Sequence, residues 1–440
     1  MKVLALLLLI PCLYADELYR DRNLVCFYNS ASNTREEGGK FSNQDLALAA
    51  QFCTHLVYGY AGVRGGNYEA YSFNDELDIQ KHQFTEVTSL KSKYPKLKVL
   101  LSVGGDRDID DKHPNKYIEL LEAGTDRQKD FAKSALSLVQ TYGFDGLDLA
   151  YQFPKNKPKE VHSGLTAAID SVKKFFSGES IVDPEAAKHK EQFTSLVRDV
   201  KDVLKPKGFL LSLTVLPNVN STWYFDIPAL NDLVDFVNLG TFDFVTPERN
   251  PEEADISAPL FGAASSARLP NYNANFQTEF WRKKFDVTKI NLGIPTYGNA
   301  WKLTKDSGET LKPVVSHTNG PAPAGPNSKK PGLLSYGEIC TMLANVENRI
   351  EKDGRSPIES ANFGNYAYRA AKGSDKEGIW ISYDELDTIE HKAMYADPEL
   401  GGVALFDLGY DDFSGVCTGH KFPVLRSVKK HLGLPLKWQD

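Results

Sequence analysis

The sequence predicts an α/β protein built on a closed (β/α)8 barrel of the TIM type, with a small α/β subdomain inserted between strand 7 and strand 8. Two observations predict the barrel: eight short apolar runs are rich in β-branched and aromatic residues, and segments of helical period separate them. Eight strands that alternate with helices are typical of a parallel barrel. A doubly wound open sheet is the alternative that this alternation also allows.

The predicted strands are short runs bounded by turn-forming residues, as expected for buried strands. In chain order they are LVCFYNS from Leu24, HLVYGYAGV from His55, LKVLLSVGG from Leu97, FDGLDLAYQ from Phe144, FLLSLTVLP from Phe209, VDFVNLGTFDF from Val234, KINLGIPTYG from Lys289 and GGVALFDLGYDD from Gly401.

The predicted helices lie between these runs, and two of them have clear apolar stripes. The first stripe contains Phe131, Ala135, Leu138 and Val139, and the second contains Phe193, Leu196, Val197, Val200 and Leu204. Further helical patterns cover residues 45–53, 82–94, 227–233, 276–285 and 389–395, and a last helix follows Pro423.

Two segments interrupt the simple alternation. Residues 301–381 include the Gly/Pro-rich stretch GPAPAGPNSKKPG, a helix-like SYGEICTMLANV and the strand-like NYAYRA and GIWISY, which together predict an inserted α/β subdomain. A long segment with a basic, Pro-containing start follows Gln152 and delays the next helix. We interpret it as an excursion over the mouth of the barrel, with a disordered loop as the alternative.

The N-terminus predicts secretion. Residues 1–15 contain one Lys, an apolar run from Val3 to Ile10, then Pro11 and the small Ala15, which is the layout of a secretory signal peptide. The run is too short to span a bilayer, although an N-terminal anchor is the alternative. We therefore expect an extracellular protein without a membrane span, with residues 22–440 forming the barrel domain.

Cysteine usage fits an oxidising compartment. Cys12 lies in the predicted signal peptide, which leaves Cys26, Cys53, Cys340 and Cys417. Three pairings are possible, and we favour Cys26 with Cys53 and Cys340 with Cys417, because each bond would then tie neighbouring elements at about 2–4 kcal/mol apiece. Four buried free thiols are the alternative.

Composition excludes several classes of function. A net charge of −7 argues against nucleic acid or an anionic membrane as a partner, and 41% hydrophobic residues suffice for a large core. The nine histidines show no metal-ligand spacing. We therefore expect neither a metal site nor a cofactor.

The fourth predicted strand, FDGLDLAYQ, carries polar residues on one face. Alternate residues of a strand share a face, so Asp148, Ala150 and Gln152 point one way while the apolar residues between them pack under the helices. Gln152 then lies at the carboxyl end of the strand, where barrels of this type keep their active sites.

This strand and three further motifs resemble the glycoside hydrolase family 18 chitinases. DGLDLAYQ resembles that family's DGxDxDxE motif, SVGG at residues 102–105 its SxGG, GIPTYG at 293–298 its GxPxYG, and DDFSG at 411–415 its DDFxG. The four motifs occur in the family's order, and the resemblance spans nearly the whole chain after residue 22. It implies the same barrel with the same insertion.

The resemblance also implies that this chain does not catalyse hydrolysis. In the family the last Glu of the motif protonates the glycosidic oxygen and the preceding Asp orients the acetamido nucleophile, but here Gln152 and Ala150 occupy those positions. An amide has no titratable proton near neutral pH, and general acid catalysis is typically worth about 10²–10⁴-fold in rate. Loss of the orienting carboxylate removes further electrostatic stabilisation.

The remaining cleft positions match the family in part. Asp145, Asp148, Asp243 and Tyr297 match the family, whereas Phe406, Asp106 and Ala31 stand where Trp is usual, Phe242 replaces a Tyr and Asn299 an Arg. With few stacking platforms, the resemblance implies weak chito-oligosaccharide binding at best. Asp145 and Asp148 also have a structural interpretation, in which they satisfy buried hydrogen bonds with neighbouring strands.

Among chitinase-like proteins, the sequence resembles the insect imaginal disc growth factors, which share the DGLDLAYQ motif. This implies an extracellular signalling protein that promotes cell proliferation and imaginal disc development, with an unidentified cell-surface receptor or matrix component as its partner. A secreted chitin- or glycan-binding lectin is one alternative, and a hydrolase using a displaced acid such as Asp148 is another. The sequon Asn220-Ser221-Thr222 predicts N-glycosylation at Asn220.

Overall fold

The predicted closed barrel is confirmed by the computed structural model, which describes residues 22–158, 182–262, 268–308, 311–345, 350–352, 364–371 and 377–434. Eight parallel strands pair in chain order, and the last pairs with the first. These strands are β1 (Asn23–Asn29), β2 (His55–Val63), β3 (Lys98–Gly104), β4 (Gly146–Ala150), β5 (Leu210–Val215), β6 (Phe236–Leu239), β7 (Ile290–Pro295) and β8 (Gly402–Phe406). Closure excludes the doubly wound open sheet.

Helices cover the outside of the barrel and bury their apolar stripes against it. Phe131, Ala135 and Val139 are buried as predicted, whereas Leu138 is only partly buried. The helices around the barrel are Asn43–Ala50, Gln83–Lys93, Lys116–Glu122, Thr125–Tyr142, Ala186–Leu204, Ser221–Tyr224, Ile227–Asn231, Ala274–Arg282, Leu386–Ala396 and Pro423–His431.

A separate antiparallel sheet lies between β7 and β8. Its strands are Tyr297–Leu303, Leu333–Ser335, Glu351–Lys352, Asn365–Arg369 and Gly378–Tyr383, and the helix Tyr336–Ala344 follows the second of them. The predicted seventh strand is therefore two strands, because the chain leaves the barrel after Pro295 and Tyr297 already pairs with Ser335 of the inserted sheet. Short strands also occur at Ala70–Ser72, Glu253–Ala254 and Val315–Ser316.

Both favoured disulfides are present. Cys26 of β1 is bonded to Cys53, just before β2, and Cys340 in the helix of the insertion is bonded to Cys417 in the segment after β8. The second bond therefore ties the insertion to the barrel, and the alternative of free thiols is excluded. The predicted signal peptide lies outside the described residues. Among the helices that the structure describes, none is long and apolar enough to span a membrane.

Candidate functional site

Asp148 lies at the centre of β4 with its side chain inside the barrel, fully buried. Ser102 Oγ and Ser212 Oγ donate hydrogen bonds to its carboxylate at 2.7 and 2.6 Å, and Thr214 Oγ1 lies 2.9 and 3.0 Å from the two carboxylate oxygens. Burial raises the pKa of Asp148, while these hydroxyl groups act in the opposite direction. The carboxylate has no exposed surface from which to reach a ligand.

The hydrogen bonds continue from Asp148 around the inside of the barrel. Asn238 donates to Thr214 Oγ1 at 3.2 Å, Asn291 to Asn238 Oδ1 at 3.0 Å, and Asn23 to Asn291 Oδ1 at 3.3 Å. The chain of polar side chains thus runs from β3 through β7 to β1. Asp148 therefore has a structural role: its buried carboxylate is fully hydrogen-bonded and anchors this network.

Gln152 lies two residues beyond β4, at the mouth of the barrel, and is partly exposed. Its side-chain nitrogen donates hydrogen bonds to the backbone oxygen of Gly105 and, at 3.2 Å, to that of Asp108. Both amide hydrogens are therefore directed at the turn that follows β3. An ionised carboxylate in this position could make neither bond, because it only accepts.

The side chain of Asp108 also holds this turn in place. Lys116 forms a hydrogen-bonded ion pair with this carboxylate, and the two side chains are 2% and 1% exposed. Tyr117 Oη and, at 2.8 Å, the backbone N–H of Val63 complete its partners. Gln152 thus contacts a segment that a buried ion pair holds in place.

A second group of predicted residues meets beyond the carboxyl ends of β6 and β7. Tyr297 Oη donates to Asp243 Oδ2 at 2.6 Å and Asn299 Nδ2 donates to Asp243 Oδ1 at 2.7 Å. Burial raises the pKa of the Asp243 carboxyl, and these two donors act against the shift. Burial and the negative charge of Asp243 raise the pKa of Tyr297, so the phenol stays protonated and remains a donor.

Phe406, the predicted remnant of a sugar platform, is covered by other aromatic rings. Phe27 stacks on it with a centroid distance of 4.0 Å and an interplanar angle of 19°, and Phe242 lies 4.8 Å away in a tilted arrangement. Phe406 is only 8% exposed. A sugar ring needs a free aromatic face to stack on, so this residue offers little of one.

The segment after Gln152 crosses the mouth. Lys155 Nζ lies 2.8 Å from Asp106 Oδ2, and the backbone N–H of Asn156 donates to Asn218 O at 2.8 Å. Arg249 Nη2 donates to Asn156 O at 2.6 Å. These contacts connect the segments that follow β3, β4, β5 and β6, in agreement with the predicted excursion for the residues up to 158; residues 159–181 lie outside the described part.

A pocket of about 210 Å³ lies beside Gln152 under this segment. Drug-sized ligands generally occupy sites of about 300–1,000 Å³, so the pocket is small for an oligosaccharide. It is lined by Asp106, Asp108, Ile109, Asp110, Asp111, Pro114, Gln152, Phe153, Lys155 and Leu216. Among the residues that the structure describes, no group of three or more His, Cys, Asp or Glu side chains is arranged to hold a metal ion.

Asp145 is not brought together with the other predicted cleft residues. It precedes β4, at the amino end of the barrel, where its carboxylate accepts from the backbone N–H of Val99 at 2.8 Å and from Lys91 at 3.2 Å. Gln152 lies seven positions further along the extended chain than Asp145, or roughly 23 Å at about 3.3 Å per residue. The structural interpretation therefore applies to Asp145, which caps the start of β3.

Sequence reasoning missed the pairs Lys116–Asp108 and Lys155–Asp106. Asp106, Asp108 and Lys155 lie in irregular segments and Lys116 is the first residue of a short helix, so no periodicity in the sequence signals either pairing. Ser212 and Thr214 could have been found, because alternation along β5 places them on the same inward face. Ala150 contributes only a buried methyl group and a backbone oxygen that accepts from Gly105 N at 2.8 Å.

The barrel, its insertion and the motif-bearing strand define a chitinase-like protein, and the chain belongs to the glycosyl hydrolases family 18, whose family model matches residues 23–411. It is similar to the chitinase-like protein Idgf2 of Drosophila melanogaster, with 63% identity over 96% of this chain and 98% of that protein. It is also similar to imaginal disk growth factor 6 of the same species, with 51% identity over 93% of each chain.

Solved structures of the family have the same fold. Catalytic domain 2 of the Group II chitinase of Ostrinia furnacalis superposes with a TM-score of 0.77 at 26% identity and covers 94% of this chain and 97% of its own. Human YKL-39, described as a pseudo-chitinase with retained chitooligosaccharide binding properties, gives a TM-score of 0.73 over 94% of this chain. At 24% identity, the second match bears on the fold alone.

Asn220 carries a prediction that a mass measurement can check. Its Oδ1 accepts from Thr222 N at 2.9 Å and Trp223 N at 3.3 Å and so caps the helix Ser221–Tyr224. We expect protein secreted from insect cells to lose mass on treatment with peptide N-glycosidase, and Thr222→Ala to abolish that loss while keeping the cap. Asn220→Ala should also cost about 1 kcal/mol of stability. A mass change that persists in Thr222→Ala would show that the glycan is not attached at Asn220.

Proposed function

We propose that this chain is a secreted, non-catalytic chitinase-like protein that acts as an extracellular growth factor, promoting cell proliferation and imaginal disc development. The observation that carries the non-catalytic part is the amide of Gln152, which donates to Gly105 O and Asp108 O where a proton donor to substrate would be needed. The names of relatives with 63% and 51% identity over nearly the full chain support the growth-factor part.

Three acids near Gln152, namely Asp148, Asp108 and Asp106, are poor substitutes for the missing general acid. Asp148 is fully buried among hydroxyl donors, Asp108 is paired with Lys116, and Asp106 is paired with Lys155. A general acid must reach the leaving oxygen within hydrogen-bond distance, directly or through one water. These contacts argue against the hydrolase that would use Asp148 as a displaced acid.

Glycan binding at the mouth should be weak. Phe406 is stacked against Phe27, and the segment after Gln152 is bonded across the groove through Lys155 and Asn156. Both features reduce the aromatic surface open to an N-acetylglucosamine chain. We infer that the main partner is a receptor or matrix component that contacts other surfaces, such as the segment after Gln152 or the inserted subdomain, since loops on a rigid scaffold often carry recognition.

Three measurements on one preparation of the secreted protein test this function. We expect a dose-dependent increase in the number of cultured insect imaginal disc cells, no fluorophore release from a chito-oligosaccharide glycoside, and little retention on chitin beads. Heat-unfolded protein controls the cell assay, and an active family 18 chitinase controls the other two. Cleavage by contaminant-free protein would overturn the non-catalytic assignment. Saturable retention on chitin without a cell response would favour the lectin.

A further inference from the structure

Lysines are concentrated at the amino end of the barrel, opposite the mouth. The sequence KSKYPKLK, residues 91–98, leads into β3, and KPKG, residues 205–208, leads into β5. Lys93, Lys96 and Lys98 are exposed in the first segment, as are Lys205 and Lys207 in the second. We call these five residues the amino-face lysines.

Strand register places the two segments side by side. Leu100 of β3 pairs with Gly146 of β4, and Gly146 pairs with Leu210 of β5. Two residues earlier in each segment, Lys98 and Gly208 therefore lie at the same height along the barrel axis. Only the chain just before β4 lies between them. At about 4.8 Å between neighbouring strands, their backbones lie roughly 10 Å apart.

Two acids in this region are already paired with other lysines. Asp145 pairs with Lys91 at 3.2 Å, and Asp235 pairs with Lys201 at 3.0 Å. Each of these carboxylates also accepts the backbone N–H of the second residue of a neighbouring strand, Val99 of β3 for Asp145 and Leu211 of β5 for Asp235. The amino-face lysines, by contrast, form no ion pair with any described acid. They leave a local positive excess on a chain whose net charge is −7.

His55 lies close to Lys98 in the fold. Its ring lies at the start of β2, where His55 is the register partner of Lys98. Burial, and secondarily the charge of Lys98, lower the pKa of His55 to about 4. The nearest exposed acid along the chain is Asp202, at the edge of the group.

We propose that the amino-face lysines bind a linear sulfated polysaccharide of the heparan sulfate class. A chain with repeated sulfates can contact both segments at once, and lysine ammonium groups bind such anions as point charges. An anionic membrane fits less well, because surface helices and loops that enter a bilayer present large apolar side chains. The described exposed ones, Leu48, Ile109, Phe276, Met394 and Val416, lie outside both lysine segments.

This site is separate from the mouth and from the proposed signalling activity. Binding at the amino end would leave Gln152 and the inserted subdomain accessible. It would hold a secreted protein on extracellular matrix while its other surfaces remain free. Loss of polysaccharide binding and loss of the cell response are therefore distinguishable outcomes.

The test compares two four-lysine variants of the full chain on immobilised heparin at physiological ionic strength. The first replaces Lys96, Lys98, Lys205 and Lys207 with Ala. The control replaces four exposed lysines at the mouth side and in the insertion with Ala, namely Lys40, Lys112, Lys305 and Lys330. The two variants have identical net charge, so a difference between them reports position.

We expect the first variant to bind heparin about ten- to a hundredfold more weakly than wild type, since it removes four of the five exposed cations that would pair with sulfate groups. The control should stay within about twofold, both variants should keep the wild-type unfolding midpoint, and affinity should fall with salt. No retention of the wild type, or equal loss in both variants, would overturn the proposal. So would wild-type binding to phosphatidylserine vesicles without binding to heparin.

Discussion

Replacing Lys116 with methionine is expected to lower the free energy of unfolding by about 3–5 kcal/mol, because it leaves a buried carboxylate without its counter-ion. Lys116 and Asp108 are both almost completely buried, and methionine keeps most of the side-chain volume. Tyr117 and the backbone N–H of Val63 would remain as donors to Asp108, but neither carries a positive charge. Denaturant unfolding at pH 7 measures the change.

Two further variants separate this effect from a general effect of losing a lysine. Lys81 pairs with Glu76 on the surface, where both side chains are more than 60% exposed, so Lys81→Met should change stability little. Combining Lys116→Met with Asp108→Asn removes the buried charge as well and should recover most of the loss. If Lys116→Met were as stable as Lys81→Met, the ion pair would not be what fixes the turn after β3.

The barrel could be predicted because its strands carry their own signal. β2, for example, was predicted from His55 to Val63 and is observed with those bounds. The prediction of the seventh run as one strand was wrong. Its apolar and aromatic residues favour extended chain throughout, and a local pattern does not indicate which sheet a residue joins. The chain changes partner between Pro295 and Tyr297, and only tertiary pairing defines that point.

The candidate site was predictable to the extent that it follows strands. Alternation along β4 placed Asp148 and Gln152 on the inward face, and the structure places Asp148 inside the barrel. Motif membership misplaced Asp145, because neighbours in a motif can lie at opposite ends of a strand. Gln152 contacts the turn after β3, and Asp108 contacts the first residue of a helix. Such contacts depend on tertiary packing of irregular segments, which the sequence pattern does not encode.

Gln152→Glu is expected to destabilise the protein by about 1–3 kcal/mol at pH 7.5 without restoring chitinase turnover. The new carboxylate would face the oxygens of Gly105 and Asp108, to which Gln152 now donates. Protonation gives the carboxyl one hydrogen to donate, so this environment should raise its pKa. A carboxyl whose pKa is higher in the folded state binds more protons there, so stability relative to wild type should rise as pH falls from 7.5 towards 5.

Gln152→Met is the matched control, since it removes the same two donors but cannot titrate. Its loss of stability should be independent of pH, whereas that of Gln152→Glu should shrink on acidification, as unfolding curves at pH 7.5 and 5 would record. Turnover should stay absent in Gln152→Glu because Ala150 supplies no orienting carboxylate and Phe406 has little free face. Measurable hydrolysis by this single variant would mean that the covered cleft still admits substrate, and a stable, pH-independent Gln152→Glu would mean that the amide does not hold the turn.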